Sequence, residues 1–485
     1  MNLITPVELL ITPAELLAWT RGEVVRGEPV ACAGLYTDTR TPLRGGLFLA
    51  LTGERFDGHD FLLQAAAQGA AGAVIAAAKT EAALGSLDRD RSSFFLLAVP
   101  DTLTALQDIA RGQRRKFTGP LIAVTGSNGK TTTKVMAATA VAAQKKVLAA
   151  EHNFNNDIGL PLTLLKLTPE HECCVVEMGM RGLGQIARLA AVAEPTIGVV
   201  TNVGPVHLEL LGSLERVATA KAELVASLPP GGTAVLNGDD PLVKAMATQS
   251  RAEVVYYGLE EEGDSDGETW HLSARKPEFF AAGTSFELCR HGRPLCRVKL
   301  RLPGKHNIYN ALAALGAAQA AGIPLEDGAA ALANLTALPM RLETTELPGG
   351  TILINDAYNA SPLSMEAALA YLKSLAGSVA SSGRKVAVLG DMLELGAFSA
   401  NMHQKVGELA AQAGLDVLVT VGEGGRQIAR GALAAGFTGR VVSYPDAAAA
   451  ARDVAGWHEP GDLVLIKASR GIKLEQAASA VTKRG

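Results

Sequence analysis

Residues 121–133 read Leu-Ile-Ala-Val-Thr-Gly-Ser-Asn-Gly-Lys-Thr-Thr-Thr: an apolar run, two glycines three apart, and a helix start. An apolar run of that length is a buried strand of a parallel sheet, and the glycines let the chain turn sharply into the helix. The first amides of a helix have no partner within it and sit at the positive end of its dipole, so this order of elements builds a seat for phosphate oxygens. Lys130 would neutralise the terminal phosphates of a nucleoside triphosphate, and Thr131 would offer a hydroxyl to Mg²⁺, a hard cation that prefers oxygen; the loop by itself says only NTPase. Gly126, Ser127, Asn128, Gly129 and Thr132 complete the loop. The general phosphate-loop pattern has its first glycine five residues before Gly129, where this chain has Val124; the glycine stands at 126 instead. A tight turn with a surface lysine is the alternative, and the agreement of strand, loop and helix argues against it.

The rest of the chain supports an α/β reading. At 485 residues it exceeds a single core, and about 100–200 residues per domain suggests three. A formal net charge of −4 supplies no broad basic field, which argues against a nucleic-acid partner. The first twenty residues hold no Lys or Arg and twice show Thr-Pro-x-Glu, a pattern that predicts a capped helix rather than a signal peptide, retained in the mature protein. The most apolar window, 65–78, is short, glycine-broken and alanine-weighted, unlike a membrane span. Five cysteines, odd in number and without a Cys-x-x-Cys pair, are expected to be reduced and buried, as in the cytoplasm.

Three segments emerge. Residues 1–117 hold strand-like runs at 30–38, 46–51, 71–77 and 94–99 and read as a small α/β domain. A basic turn at 111–120 leads into a second domain, 118–335, where apolar runs at 173–179, 197–203 and 232–238 alternate with helical stretches, the pattern of a parallel sheet. Residues 336–485 repeat the rhythm and suggest a Rossmann-like third domain. The acidic stretch 258–268 reads as a surface loop or hairpin.

The loop sequence Thr-Gly-Ser-Asn-Gly-Lys-Thr-Thr resembles that of the Mur ligases. Further blocks follow in that family's order: HNFNNDIGLPLTLL at 152–165, VVEMGM at 175–180, TNVGPVHLELLGSLERVATAKAEL at 201–224, LNGDDP at 236–241 and LPGKHNIYNALAA at 302–314. The resemblance implies that Glu177 and His207 bind Mg²⁺ beside the ATP phosphates. It also implies that Lys221 is a lysine often carbamylated to hold a second magnesium. His306, Asn307 and Asn310 would face the nucleotide, while Arg341 and Asp356 would reach across to it from the third domain.

The words NDAYNASPLSM at 355–365 and VLGDMLELG at 388–396 resemble one branch, which adds D-alanyl-D-alanine to UDP-N-acetylmuramoyl-tripeptide. The branch that adds the third amino acid carries Asp-Asn-Pro-Arg in its last domain, and that tetrapeptide is absent here. YTDTRTPLRGGLFLALTGERFDGHDF at 36–61 resembles the family's UDP-sugar module, which makes Thr39, Arg40 and Phe48 substrate-side candidates. Lys467, Ser469 and Arg470 resemble a family site on the peptide side, and Asn156, Tyr358 and Asn359 are further substrate candidates. The implied reaction is ATP-dependent amide formation through an acyl phosphate, with Lys130, His207, Lys221 and Arg341 in its catalytic machinery, in a monomer. A nucleotide-dependent switch without a ligase product is the alternative from another class.

Overall fold

The computed structural model describes residues 5–484 apart from 54, 88–92, 152, 261–269, 281–282 and 379–382. The acidic stretch from 261 onward, and His152 of the first family block, lie outside the described residues. The fold is mixed α/β with three β-sheets. Close contacts divide it into two units: Met1–Ala123 with Lys145–Gly179 and Ala187–Thr196, and Val124–Gln144 with Met180–Ile186 and Ile197–Gly485.

In the first unit, strands β1 (Val7–Ile11), β2 (Glu23–Arg26), β3 (Cys32–Tyr36), β4 (Leu47–Leu49), β5 (Gly72–Ala76) and β6 (Phe95–Val99) form a sheet in the order β1-β3-β4-β5-β6-β2. The four apolar runs of the sequence became its parallel centre, β3 to β6, and the two edges are antiparallel. The two Thr-Pro-x-Glu words part company. The second caps helix Pro13–Thr20: Thr12 Oγ1 accepts the Glu15 N–H at 3.3 Å, and Glu15 Oε2 accepts the Thr12 N–H at 2.9 Å. The first, expected to cap a helix, instead leads into strand β1. Val7 and Ile11 are buried there and Val7 pairs with Leu35, so β-branched residues on one face and a sheet edge outweigh the cap signal.

The basic stretch from 111 is helix, not turn, as far as Lys116. Buried Arg114 explains it by donating to the carbonyls of Ala193, Phe117 and Glu194 at 2.7–3.0 Å. Strands β7 (Leu121–Thr125), β8 (Val147–Ala149) and β9 (Cys173–Glu177) follow; β8 and β9 are parallel, and the Cys174 N–H bonds the Pro120 carbonyl beside β7. The five cysteines are free thiols, and only Cys296 is not fully buried.

In the second unit, β10 (Ile197–Val200), β11 (Thr233–Asn237), β12 (Glu253–Leu259) and β13 (Leu272–Phe280) run parallel, as the alternating pattern required. The sheet does not stay parallel. β13, β14 (Gly283–Arg290) and β15 (Arg293–Leu300) form an antiparallel extension that the expectation of a wholly parallel sheet lacked. Its sequence cue is His291-Gly292, both at positive φ (47° and 71°), a two-residue hairpin turn.

The third sheet comprises β16 (Glu343–Glu346), β17 (Ile352–Asn355), β18 (Lys385–Gly390), β19 (Val417–Val421), β20 (Arg440–Tyr444) and β21 (Leu463–Lys467), ordered β16-β17-β21-β18-β19-β20. It is parallel except for the edge strand β16, as a Rossmann-like sheet would be. Strand alternation divides its core. Ile354, Leu389 and Leu465 pack on one face, and Leu353, Val388 and Ile466 pack on the other. Each face therefore needs a covering layer of helices, which the alanine-rich segments supply. No described helix is long and apolar enough to cross a membrane.

Candidate nucleotide-binding site

The glycine loop lies where the sequence placed it, between β7 and helix Lys130–Val141. Gly126 has φ 147° and a Cβ there would stand 1.8 Å from Thr201 Oγ1; Gly129 has φ 81° and its Cβ would stand 2.4 Å from Asn310 Oδ1. Neither position can carry a side chain without movement of its neighbour. The segment 201–204 forms the rear wall. Thr201 Oγ1 and Asn202 Nδ2 donate to the Asn128 carbonyl at 2.6 and 3.1 Å, Asn202 Oδ1 accepts the Asn128 N–H at 2.9 Å, and Ser127 Oγ exchanges hydrogen bonds with Gly204. Lys130 Nζ folds back onto the carbonyls of Gly126 and Ser127 at 2.8 and 3.1 Å. A chain of amides braces the helix start: Asn307 Nδ2 donates to Pro303 O, Asn310 Nδ2 to Asn307 Oδ1, and Thr133 Oγ1 to Asn310 Oδ1. Thr132 continues the first turn of that helix.

Loops of the third sheet lie against this one. Arg341 Nη2 donates to Thr131 Oγ1 at 3.1 Å while its guanidinium stands 4.0 Å from the centre of the Tyr358 ring, a cation-π contact. Ser361 Oγ donates to Asn128 Oδ1 at 2.8 Å. Behind them, buried Lys467 reaches Asp356 Oδ2 at 2.6 Å and the Asn359 carbonyl at 2.9 Å, and Asp356 Oδ1 accepts the Leu342 N–H at 3.1 Å. Asp356, Lys467 and Asn359 thus position the segment that carries Arg341 and Tyr358. Ser469 Oγ accepts the Leu393 N–H at 2.9 Å. Arg470 contacts Met340 Sδ at 3.3 Å and lies 5.9 Å from the Tyr358 ring. Burial holds the His306 imidazole down at about 4, opposed by Asp356 and assisted by Lys467.

Titratable groups gather beside the loop. His207, at φ 54° before helix Leu208–Leu211, has Nδ1 2.5 Å from Glu394 Oε2, and Arg181 Nη2 is 3.3 Å from Glu394 Oε1. Burial lowers the His207 pKa; Glu394 opposes that, and the charges of Lys130 and Lys221 add to it. Lys221, in helix Leu214–Ser227, is 2% exposed, and burial followed by the charge of Lys130 holds its ammonium well below the ordinary value. Lys130 in the loop and Arg341 on Thr131 place positive charge where a polyphosphate would sit. Among the described residues no three His, Cys, Asp or Glu side chains form a metal cage. The Thr131 hydroxyl and the His207 imidazole suit a cation that draws its other ligands from phosphate and water.

In the first unit, Glu177 ends β9, is 2% exposed and accepts Asn155 Nδ2 at 2.8 Å. Asn156 turns its Oδ1 onto the N–H groups of Ile158 and Gly159. Thr39 is buried, with its carbonyl bonded to Gln68, and exposed Arg40 grips Asp38 through two parallel hydrogen bonds. Phe48 is 1% exposed and packs against Tyr36, so its surface belongs to the core. Ser361, Glu394 and Arg181 escaped sequence reasoning. Ser361 and Glu394 lie inside family-like blocks, yet nothing in their residue type separates them from surface positions.

A parallel sheet ending in a glycine loop, with a lysine and threonine opening the next helix, defines a nucleotide-binding α/β protein of the phosphate-loop class. Residues 124–318 match the Mur ligase middle domain and residues 340–470 the Mur ligase glutamate ligase domain. The chain belongs to the Mur ligase family. It is 38% identical to the UDP-N-acetylmuramoyl-tripeptide--D-alanyl-D-alanine ligase of Bacillus subtilis over 456 residues, covering 93% of each chain. A crystal structure of MurF from Acinetobacter baumannii superposes with a TM-score of 0.86 at 28% identity, covering 98% of this chain and 100% of that one. MurF from Thermotoga maritima in complex with ADP gives 0.77 at 27% identity, covering 93% and 97%.

Proposed function

We propose that this chain joins D-alanyl-D-alanine to UDP-N-acetylmuramoyl-tripeptide at the expense of ATP, through an acyl phosphate, in peptidoglycan precursor synthesis. The observation that carries this reading is the 38% identity, spread over 93% of both chains, to a relative of that name. The working division is 1–117 for the UDP-substrate, 118–335 for ATP and 336–485 for closure over it, in a cytoplasmic monomer.

Amide formation in water is uphill, so the tripeptide carboxylate first attacks the γ-phosphorus and the free amine then displaces phosphate. The first step brings anions together. Lys130, the loop amides and Arg341 would screen that repulsion, because fixed donors aimed at developing charge need little reorganisation during the reaction. Thr131 and His207 would hold Mg²⁺, which would supply neutralisation of phosphate charge, and Glu177 is a further candidate ligand from the family resemblance. Lys221, if carbamylated, would change from a buried cation into a carboxylate able to take part in metal binding. Thr39 and Arg40 are the UDP-side candidates, and Tyr358, Asn359 and Arg470 the peptide-side ones.

The test incubates the enzyme with ATP, Mg²⁺, UDP-muramoyl-tripeptide and a panel of amine acceptors, followed by mass spectrometry. The expected product gains one D-Ala-D-Ala, and ADP release requires both substrates. A product carrying a diamino acid would assign the chain to the neighbouring branch. ADP release without an acceptor would make it a nucleotide switch.

A further inference from the structure

Glu394 stands on a segment fixed at nearly every residue. After β18, Asp391 Oδ1 accepts the Gly425 N–H at 2.8 Å, the Met392 N–H bonds buried His403 Nε2 at 2.8 Å, and the Leu393 N–H bonds Ser469 Oγ at 2.9 Å. Glu394 itself adopts φ 64°, uncommon for a side-chain-bearing residue, and its carbonyl accepts the Glu209 N–H at 3.2 Å. Two residues on, Gly396 approaches so closely that a Cβ would lie 2.9 Å from Glu209 Cα. This loop of the third sheet is therefore pressed onto helix Leu208–Leu211, which His207 precedes. It delivers a carboxylate oxygen 2.5 Å from His207 Nδ1. That nitrogen is buried, so the carboxylate stands where a buried ring N–H needs an acceptor.

We propose that Glu394 is a positioning residue for His207. It fixes the imidazole through Nδ1 and leaves Nε2 for a divalent cation, so that the metal ligand is set only while the third sheet's loop is docked. Histidines that hold metals are commonly oriented by a carboxylate on the other ring nitrogen, which also makes the ligand more basic. Here the orienting group comes from a different sheet than the one leading to the histidine. Loop docking and metal affinity are thereby coupled, and each strengthens the other by the same factor. Arg181, 3.3 Å from the other carboxylate oxygen, holds Glu394 from its far side.

The inference rests on the proposed metal role of His207, and the experiment separates the two. Mn²⁺ is titrated by electron paramagnetic resonance into the full-length protein saturated with ADP, and ADP affinity is measured separately without metal. Glu394→Ala is expected to weaken Mn²⁺ binding about tenfold or more, Glu394→Gln by a smaller factor because its amide oxygen still accepts, and neither should change metal-free ADP affinity. If His207→Ala weakens Mn²⁺ binding while both Glu394 variants match the parent, the inference falls and the role of His207 stands. If His207→Ala also matches the parent, both fall. Should Glu394→Ala not fold, Glu394→Gln decides: parent-like Mn²⁺ affinity overturns the proposal.

Discussion

At the scale of single residues, the loop makes separate demands of charge and of shape. Lys130→Ala removes the charge; ATP-dependent phosphate release should fall about a hundredfold or more, as when one preorganised donor to developing charge is lost. The melting temperature should move by only a few degrees, since the side chain is part-buried and bonds two loop carbonyls. Retained turnover would remove Lys130 from the mechanism. Gly129→Ala tests shape. The left-handed backbone costs a residue with a Cβ about 1–2 kcal/mol, and the clash with Asn310 adds to it, so stability and ADP affinity should fall together in calorimetry. These residues were legible because a phosphate seat limits residue types at fixed spacing. Ser361 and Glu394 were not, because their importance lies in what faces them across the fold, and spacing along the chain carries no trace of that.

Among the elements, apolar runs foretold strands well where the strand is central and buried. Residues 94–99 and 463–467 could hardly be anything else, since every position of β6 and β21 is buried. Edge strands β1 and β16 lack that mark: β1 is half exposed and β16 reads Glu-Thr-Thr-Glu. The antiparallel β13–β15 was lost because β13 is exposed from Lys276 to Phe280 while β14 is buried at most positions, so neither alternates as a half-buried strand would. Helix Lys305–Ala320 offers a test at this scale. Its His306 is held near 4 against an ordinary value of 6.5, so the unfolded chain binds more protons than the folded one between those values. Stability should therefore be complete above pH 6.5 and decline as pH falls toward 4, by on the order of 1–2 kcal/mol for this part-exposed group. A His306→Gln variant should show a flatter dependence of melting temperature on pH over that window. An unchanged slope would mean that other groups dominate.

For the whole molecule, loops of the third sheet meet the nucleotide loop through Arg341 on Thr131 and Ser361 on Asn128, and meet His207 beside it through Glu394. The segment leading to them holds Met340 and Leu342 at φ 57° and 49°, with Arg341 between. Strain of that kind persists where surrounding contacts enforce it, which suits a pivot near 335–345. Small-angle scattering should give a smaller radius of gyration with an ATP analogue and the UDP-substrate together than with neither, and equal values would exclude closure as the step that shields the acyl phosphate. The two glycines of the loop have one more consequence, for chemotherapy. A compound that grips the backbone amides of 126–129 would leave few mutational exits. Any heavier residue at 126 or 129 first collides with Thr201 or Asn310 and spoils the seat for the enzyme's own nucleotide, so resistance would have to arise elsewhere.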